Sequence, residues 1–271
     1  MREAQEPVIA NVLAGRNTLA ILPTGAGKSM CYQLPALALP GRTLVVSPLI
    51  ALMKDQVDKL NGPGIGAIAL NSAQNAEQQA AAETALQDGS AEFVFTTPER
   101  LSDPGFIAEL KNKAIELVVI DEAHCISQWG HDFRPAYLQI GGAVRALGSP
   151  TVLGLTATAN EQVIGDIGSR LDIDFDVVSA SVYRANLLLA VVQSTNDEDR
   201  TMQARDIVGH SKGAGIVYTA TVRAAEALHA ALVADGQQAG LYHGRLGASE
   251  RHRQQEGFMT SGGRSFLSAA R

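Results

Sequence analysis

The feature that most constrains the fold of this chain is a glycine-rich turn between a predicted strand and a predicted helix. It reads Leu22-Pro23-Thr24-Gly25-Ala26-Gly27-Lys28-Ser29, with Leu at the first position where the commonest form of such a turn has Gly. Residues 18–22 predict a buried strand, and residues 30–39 predict a helix with a kink or break at Pro35. In this setting backbone N–H groups converge on phosphates, the lysine reaches the outer phosphates and the Ser29 hydroxyl binds Mg²⁺. The turn therefore predicts a nucleotide site; a glycine turn with a solvated lysine is the alternative.

Length and composition bound the remaining possibilities. The chain has 271 residues, 46% of them hydrophobic and 18% charged, which predicts two domains or one large one and excludes global disorder. No apolar run reaches the roughly 18 residues of a membrane span, and no basic-then-apolar leader opens the sequence. Cys31 and Cys125 cannot supply a four-ligand zinc site and predict buried thiols in a reducing cytoplasm.

The net charge of −6 argues against nucleic-acid binding through bulk basicity. Residues 1–180 carry 12 Lys and Arg against 20 Asp and Glu, whereas residues 181–271 carry 10 against 8. A bound polyanion would therefore need a local groove with its own donors.

Strands alternate with helices from residue 18 to about 178, which predicts an α/β fold with a parallel sheet covered by helices on both faces. Leu117-Val118-Val119-Ile120 is the most apolar strand and is predicted to be central. Residues 179–186 are interpreted as a connector. A second α/β pattern follows, beginning with a predicted strand at 187–192.

Paired carboxylates follow the most apolar strand, in the run Asp121-Glu122-Ala123-His124. The carboxyl edge of a parallel sheet would place them beside the phosphate turn. There Asp121 could hold Mg²⁺, and Glu122 could accept a proton from the water that attacks the γ-phosphate. His124 could sense that phosphate or link to the next motif. The alternative is an acidic strand end on a solvated loop, with a structural histidine.

Thr156-Ala157-Thr158 follows another predicted strand at the same edge. Its hydroxyls could bond to the acidic motif and relay the state of the nucleotide. A strand end followed by a helix N-cap is the alternative interpretation.

Three longer stretches resemble one family: residues 22–36, residues 46–57, and residues 121–135, which read DEAHCISQWGHDFRP. The sequence is similar to superfamily 2 helicases of the Asp-Glu-Ala-His type, and most closely to the RecQ family of DNA helicases. The match runs from Arg2 to about Met259. An unrelated nucleotide enzyme such as a kinase is disfavoured by the run at 121–135.

The resemblance implies a RecA-like P-loop NTPase lobe over residues 1–180, followed by an incomplete second RecA-like lobe over 181–271. It implies an ATP-dependent 3′–5′ DNA helicase that couples ATP hydrolysis to single-strand translocation and duplex unwinding, in DNA repair and recombination. The cofactors would be ATP and Mg²⁺, and the partners single-stranded and partly duplex DNA. The chain would be cytoplasmic and associated with the nucleoid when on DNA.

The resemblance also assigns residues to roles. Trp129 is interpreted as an exposed aromatic of a loop that couples strand binding to hydrolysis, with a core anchor as the alternative. The family's Phe before the adenine-reading Arg and Gln is replaced by Met1, which puts adenine stacking in doubt. The implied sets are catalytic Lys28, Asp121, Glu122 and His124; nucleotide-binding Arg2, Gln5, Thr24, Gly25, Ala26, Gly27, Lys28 and Ser29; Mg²⁺-binding Ser29 and Asp121; and nucleic-acid-binding Ser47, Lys54, Thr97, Arg100, Trp129, Phe133 and Arg134.

The sequence departs from the family after Met259. The family continues into a strand, a glycine-rich motif and an arginine motif that reaches the γ-phosphate, whereas residues 260–271 are expected to supply neither an apolar strand nor those arginines. This predicts a truncated or frameshifted reading frame and an exposed sheet edge. It also gives an alternative function, an ATP-gated DNA-binding fragment with little or no hydrolysis.

Overall fold

A parallel sheet of seven strands organises the first of two units, residues 1–186. The computed structural model describes residues 4–72, 74–181, 186–261 and 266–270. The spatial order of the strands is β3-β4-β2-β5-β6-β1-β7, which puts β5 in the middle, as its apolar sequence predicts. The strands are β1 (Thr18–Ile21), β2 (Arg42–Val46), β3 (Ala67–Leu70), β4 (Phe93–Thr96), β5 (Ile115–Ile120), β6 (Thr151–Thr156) and β7 (Asp176–Ser179).

Helices cover both faces of this sheet, and each face has its own apolar core. Neighbouring β2 residues show the division, because Leu44 and Val46 belong to one core and Val45 to the other. This confirms the predicted parallel sheet with two covered faces. The α-helices are α1 (Gln5–Leu13), α2 (Met30–Ala36), α3 (Ile50–Asn61), α4 (Ala76–Asp88), α5 (Pro104–Leu110), α6 (Ile140–Ala146) and α7 (Glu161–Leu171), and the 3₁₀ turns are η1 (Arg100–Ser102), η2 (Ala123–Ile126) and η3 (Pro135–Gln139).

Local sequence sets the ends of two helices near the site. The helix predicted over 30–39 ends at Ala36, with Pro35 in its last turn, where the missing proline N–H removes one helical hydrogen bond. Helix α7 begins after Asn160, whose side chain caps it by accepting a hydrogen bond of 2.9 Å from the Val163 N–H.

The cysteines are buried free thiols, as predicted. Burial raises the pKa of Cys31 to about 11 and that of Cys125 to about 12. Both therefore stay protonated at neutral pH, and neither has the thiolate character that a reactive cysteine requires.

The second unit, residues 187–271, contains a three-stranded parallel sheet in the order β8-β10-β9. Its last strand, β10, corrects the expectation that the tail supplies no strand. All five β10 residues are buried, and the polar Ser268 is accommodated because its hydroxyl donates to Ala225 O at 2.9 Å. The elements are α8 (Asp197–His210), β8 (Gly215–Thr219), α9 (Val222–Ala234), β9 (Ala239–Tyr242), α10 (Ala248–Thr260) and β10 (Phe266–Ala270).

The strand predicted at 187–192 is the second correction. Within the described range 186–261 these residues form no strand, and Leu188 and Val191 are 94% and 97% exposed. A strand needs a hydrogen-bonding neighbour, and an apolar sequence alone does not supply one.

The packing of α6 against the end of α7 gives a matched stability test. A Cβ at Gly141 would lie 2.9 Å from Leu171 O, whereas a Cβ at Gly142 would meet nothing within 4 Å. We expect Gly141→Ala to destabilise the first unit by about 1–3 kcal/mol through overpacking. Gly142→Ala should stabilise it by up to about 1 kcal/mol through helix propensity. Urea unfolding followed by the fluorescence of Trp129 measures both, and shifts of the same sign would contradict this account.

Candidate nucleotide and nucleic-acid site

The phosphate turn continues directly from β1. The Leu22 N–H donates to Thr156 O at 2.9 Å, and the Leu22 side chain is fully buried, so this position serves as a core residue. Gly25 and Gly27 have φ of +79° and +80°, in the left-handed region that favours glycine. A Cβ at Gly27 would also lie 2.5 Å from Gln5 Nε2. Both glycines are therefore required by the shape of the turn.

Helix α1 braces the turn through one side chain. The buried Gln5 amide donates to Ala26 O and to Gly27 O, each at 3.1 Å. The sequence-predicted Gln5 is therefore joined to the phosphate turn, and its contact with an adenine stays a prediction. Arg2, predicted with it, lies outside the described residues.

Lys28 and Ser29 lie at the end of the turn, beside a cavity of about 220 Å³. Lys28 Nζ is 3.5 Å from Leu22 O, at the limit of a hydrogen bond. The Ser29 side chain lies beside the hydroxyl of Tyr32. The structure thus brings the predicted phosphate and acidic residues to one cavity, which is lined by Thr24, Lys28, Ser29, Tyr32, Val45, Ser47, Leu52, Met53, Gln56, Phe95, Asp121, Glu122 and Leu155.

The acidic pair is held rigidly at the end of β5. Asp121 Oδ2 accepts from the Ser47 hydroxyl at 3.2 Å, and Oδ1 accepts from the Glu122 N–H at 3.1 Å. The Tyr137 hydroxyl donates to Asp121 O at 2.9 Å. Glu122 has a φ of +50°, so the backbone turns sharply between the two carboxylates. This geometry fixes both carboxylates at the cavity.

Electrostatics at Asp121 fit a divalent cation. Burial raises the pKa of this carboxyl, and the Glu122 charge raises it further; Ser47, the Glu122 N–H and Lys28 act in the opposite direction. A cation bound here would relieve both of the raising effects. Within the ranges that the structure describes, no group of three or more His, Cys, Asp or Glu side chains could hold a metal ion. Mg²⁺ would therefore rely on Asp121, Ser29, phosphate oxygens and water.

The raised pKa of Asp121 predicts how stability depends on pH. The unfolded chain loses this proton at lower pH than the folded chain, so stability is lost as pH rises through the folded pKa. Asp121→Asn removes this loss and should raise the melting temperature at pH 7–8 by roughly 2–4 °C, with no gain near pH 3. Thermal unfolding without nucleotide or divalent ions checks this, with the exposed Asp174→Asn as control. A lower melting temperature at pH 8 for Asp121→Asn would contradict it.

His124 links the acidic pair to the threonine motif. Its Nδ1 lies 3.0 Å from Thr156 Oγ1 and 3.3 Å from Glu122 Oε2. The Thr156 hydroxyl donates its own proton to Thr158 O, so it accepts at Nδ1 and favours the tautomer with the proton there. Burial lowers the pKa of His124, and His131, stacked at 4.2 Å, lowers it further. The predicted bond between the two motifs is confirmed for Thr156, whereas Thr158 takes part through its backbone.

The loop after η2 presents Trp129 to solvent. The side chain is 65% exposed, so the core-anchor alternative is wrong. A Cβ at Gly130 would lie 2.4 Å from His124 O, so this tight turn requires glycine. Phe133 is half-buried, and Arg134 forms an ion pair of 3.1 Å with Asp132.

A groove of about 350 Å³ joins this loop to the nucleotide residues. It brings Arg134, a predicted nucleic-acid-binding residue, together with Glu122 and His124, which are predicted catalytic residues. Coupling between a bound nucleic acid and a bound nucleotide would need residues of both kinds in one place. Its lining consists of Thr24, Pro48, Leu49, Glu122, His124, His131, Asp132, Arg134, Ala157 and Thr158.

The other predicted nucleic-acid residues differ in their exposure. Lys54 is exposed on α3, whereas Ser47 and Thr97 are 4% and 8% exposed, with the Ser47 hydroxyl engaged by Asp121. The Arg100 guanidinium lies over the Phe106 ring at 5.1 Å. Lys54 is therefore the best placed of these four to meet a strand in this structure.

Two structural residues of the site were missed by the sequence reasoning. Tyr137 is fully buried and bonds to the Asp121 backbone, but it lies in an irregular stretch without a periodic pattern. Asp166 lies beside the loop that carries Trp129, yet its position on α7 resembles an ordinary polar helix face. Only the three-dimensional contacts single them out.

The parallel sheet, the phosphate turn and the acidic pair at one strand edge define a P-loop nucleotide-binding α/β protein. A family model described as DEAD/DEAH box helicase matches residues 2–167, and the chain belongs to this family. None of the helices in the described ranges has the length and apolar character that a membrane span requires.

Curated relatives narrow the similarity to RecQ helicases. The chain is 44% identical over 261 residues to the ATP-dependent DNA helicase RecQ of Bacillus subtilis, covering 95% of this chain and 44% of that protein. It is 38% identical over 258 residues to RecQ of Pasteurella multocida, covering 95% and 40%. The chain thus spans less than half the length of these relatives.

Solved structures confirm the RecA-like helicase fold. The DUF1998 helicase MrfA, bound to DNA and AMPPNP, gives a TM-score of 0.77 at 17% identity, covering 100% of this chain and 41% of that one. Saccharomyces cerevisiae Dbp5, bound to RNA and ADP BeF3, gives 0.69 at 18% identity, covering 99% and 69%. At these identities the likeness concerns the fold alone.

Proposed function

We propose that this chain is the core of a RecQ-type ATP-dependent DNA helicase, which couples ATP hydrolysis to 3′–5′ movement along one strand and to duplex unwinding. The observation that carries the proposal is the continuous arrangement from the phosphate turn through Glu122 and His124 to the Trp129 loop. The relatives' names support DNA as the polymer. Work in DNA repair or recombination, at the nucleoid, follows from that assignment.

In the nucleotide step, the backbone of the turn and Lys28 bind the phosphates of ATP, while Gln5 keeps the turn in shape. Mg²⁺, held through Ser29 and Asp121, would neutralise charge on the β- and γ-phosphates. Glu122 accepts the proton of the attacking water. His124, neutral and fixed by Thr156, orients the Glu122 carboxylate from 3.3 Å.

In the DNA step, Trp129 stacks on bases and Arg134 pairs with a phosphate, a mode that needs no base sequence. Phe133 supports the loop, and Lys54 adds a charge on α3. Ser47, Thr97 and Arg100 are proposed to meet the strand after local rearrangement, because two of them are almost fully buried here.

The proposal is tested with the purified chain, measuring ATP hydrolysis with and without an oligo(dT) strand and unwinding of duplexes that carry a 3′ or a 5′ tail. Stimulation by oligo(dT) and unwinding of the 3′-tailed duplex are expected. Binding of ATP and DNA without turnover would instead identify an ATP-gated DNA-binding module. Failure to bind oligo(dT) with or without ATP would overturn both.

A further inference from the structure

The Trp129 loop is folded around Ser127, which is fully buried. The Ser127 hydroxyl accepts from the Trp129 N–H at 3.1 Å, and its carbonyl accepts from the Gly130 N–H at 3.0 Å. These bonds shape the loop locally. They do not by themselves tie it to a helix of the first unit.

The tie to a helix comes from Asp166 on α7. The Ser127 hydroxyl and the Gln128 N–H approach its carboxylate closely enough to stabilise the charge, and Arg170 Nε donates to Oδ1 at 2.7 Å. Burial opposes ionisation, yet these three donors hold the pKa of Asp166 below its ordinary range. Its Oδ2 is shielded from solvent and has no aligned hydrogen bond within the described part of the chain. A shielded carboxylate therefore lies close to the Ser127 hydroxyl and the Gln128 N–H.

Helix α7 also follows the threonine motif directly. Thr156 lies at the end of β6, bonded to His124, and Asn160 caps α7 four residues later. The short segment 156–166 thus contacts His124, beside the nucleotide cavity, at its start and the Trp129 loop at its end. A change at either contact can be transmitted along a single continuous element.

We propose that Asp166 is a positioning residue that orients the Trp129 loop, acting through Ser127 and Gln128. The part of this proposal that concerns DNA rests on the proposed function. Loss of the carboxylate removes the negative charge that the Ser127 hydroxyl and the Gln128 N–H approach, so the loop samples more conformations. Trp129 is then presented less often in its binding geometry, whereas the phosphate turn is unchanged.

The single tryptophan of the chain makes the proposal measurable without turnover. Asp166→Ala, Asp166→Asn and Ser127→Ala are compared with Glu161→Ala, which removes an exposed acid from the same helix. The measurements are Trp129 fluorescence anisotropy, acrylamide quenching, the thermal midpoint, the Kd for oligo(dT) from tryptophan quenching, and the Kd for a fluorescent ATP analogue. All use the full chain.

We expect Asp166→Ala to lower the Trp129 anisotropy and to weaken oligo(dT) binding about three- to tenfold, through loss of the contact between its carboxylate and the loop. The ATP analogue should bind within twofold of the parent chain. Asp166→Asn should recover part of the loss, because its amide oxygen still accepts a hydrogen bond. Glu161→Ala should match the parent throughout.

Parent-like anisotropy and parent-like DNA affinity in Asp166→Ala would overturn the proposal. If that variant unfolds, Ser127→Ala breaks the same contact from the loop side, and a parent-like result there would also overturn it. Equal loss of ATP and DNA binding would show a general defect of the first unit and count against positioning. Should the parent chain not bind oligo(dT), the proposed function fails, while the anisotropy still decides the role of Asp166.

Discussion

We expect the replacement of Glu122 by Gln to lower the rate of ATP hydrolysis by about 10²–10⁴-fold, the usual contribution of a general base. The Glu122 side chain is 27% exposed at the cavity, so a water can reach it. Its backbone, with a φ of +50°, and the imidazole of His124 at 3.3 Å fix its direction. Gln keeps the volume and an acceptor but cannot take up the proton, so ATP binding should stay within about threefold of the parent.

Single-turnover hydrolysis of radiolabelled ATP resolves even a slow parent rate, and a fluorescent ATP analogue reports binding separately. Glu116→Gln is the matched control, because Glu116 is an exposed residue of the same strand, β5. Hydrolysis by Glu122→Gln within threefold of the parent would remove Glu122 from the chemistry. A parallel loss of ATP binding would point to a defect in the cavity rather than in proton transfer.

The first unit was predictable because local patterns and global packing agree there. Apolar runs such as Leu117–Ile120 become central strands, and the glycines of the phosphate turn adopt the positive φ that only such residues tolerate well. In the second unit, local sequence patterns and global packing disagree. Phe266–Ala270 is a short run of mostly small side chains, yet it forms a fully buried strand, whereas the more apolar 187–192 stays exposed. Hydrophobicity marks what could be buried, and strand pairing decides what is.

In the site, the motifs could be predicted from the sequence, whereas the side-chain contacts that hold them in place could not. Asp121 and Glu122 follow β5, and Thr156 ends β6 of the same parallel sheet, so the fold class alone places them at one edge. Ser47 bonds to Asp121 across 74 residues of sequence, and its assignment to DNA contact gave no sign of this. Asp166 meets the Trp129 loop only after α7 has packed on η2. Such contacts depend on the register of packed elements, which composition and spacing do not encode.

We expect the replacement of Lys28 by Ala to weaken ATP binding by about 10–100-fold, because charge-assisted hydrogen bonds to phosphate contribute about 1.5–3 kcal/mol. Among the residues that the structure describes, Nζ has one hydrogen-bond partner, Leu22 O at 3.5 Å, so it can turn toward a phosphate without losing a strong partner. The change has a second effect, since Lys28 helps to lower the pKa of Asp121. Without it, the pKa of the buried carboxyl rises further, so at low pH less of the carboxyl is ionised and available to a cation.

The two effects of Lys28→Ala separate with pH. The loss of phosphate contacts is present at every pH, whereas the effect on Asp121 adds to it at low pH, where that carboxyl is protonated, and fades as pH rises. The affinity ratio between parent and Lys28→Ala, measured with a fluorescent ATP analogue in Mg²⁺ buffer from pH 5.5 to 8.5, should therefore narrow as pH rises. Lys59→Ala, an exposed lysine paired with Asp55 on α3, is the control. A ratio that widens with pH would contradict the link between Lys28 and Asp121, and an affinity equal to the parent would contradict the phosphate role of Lys28 itself.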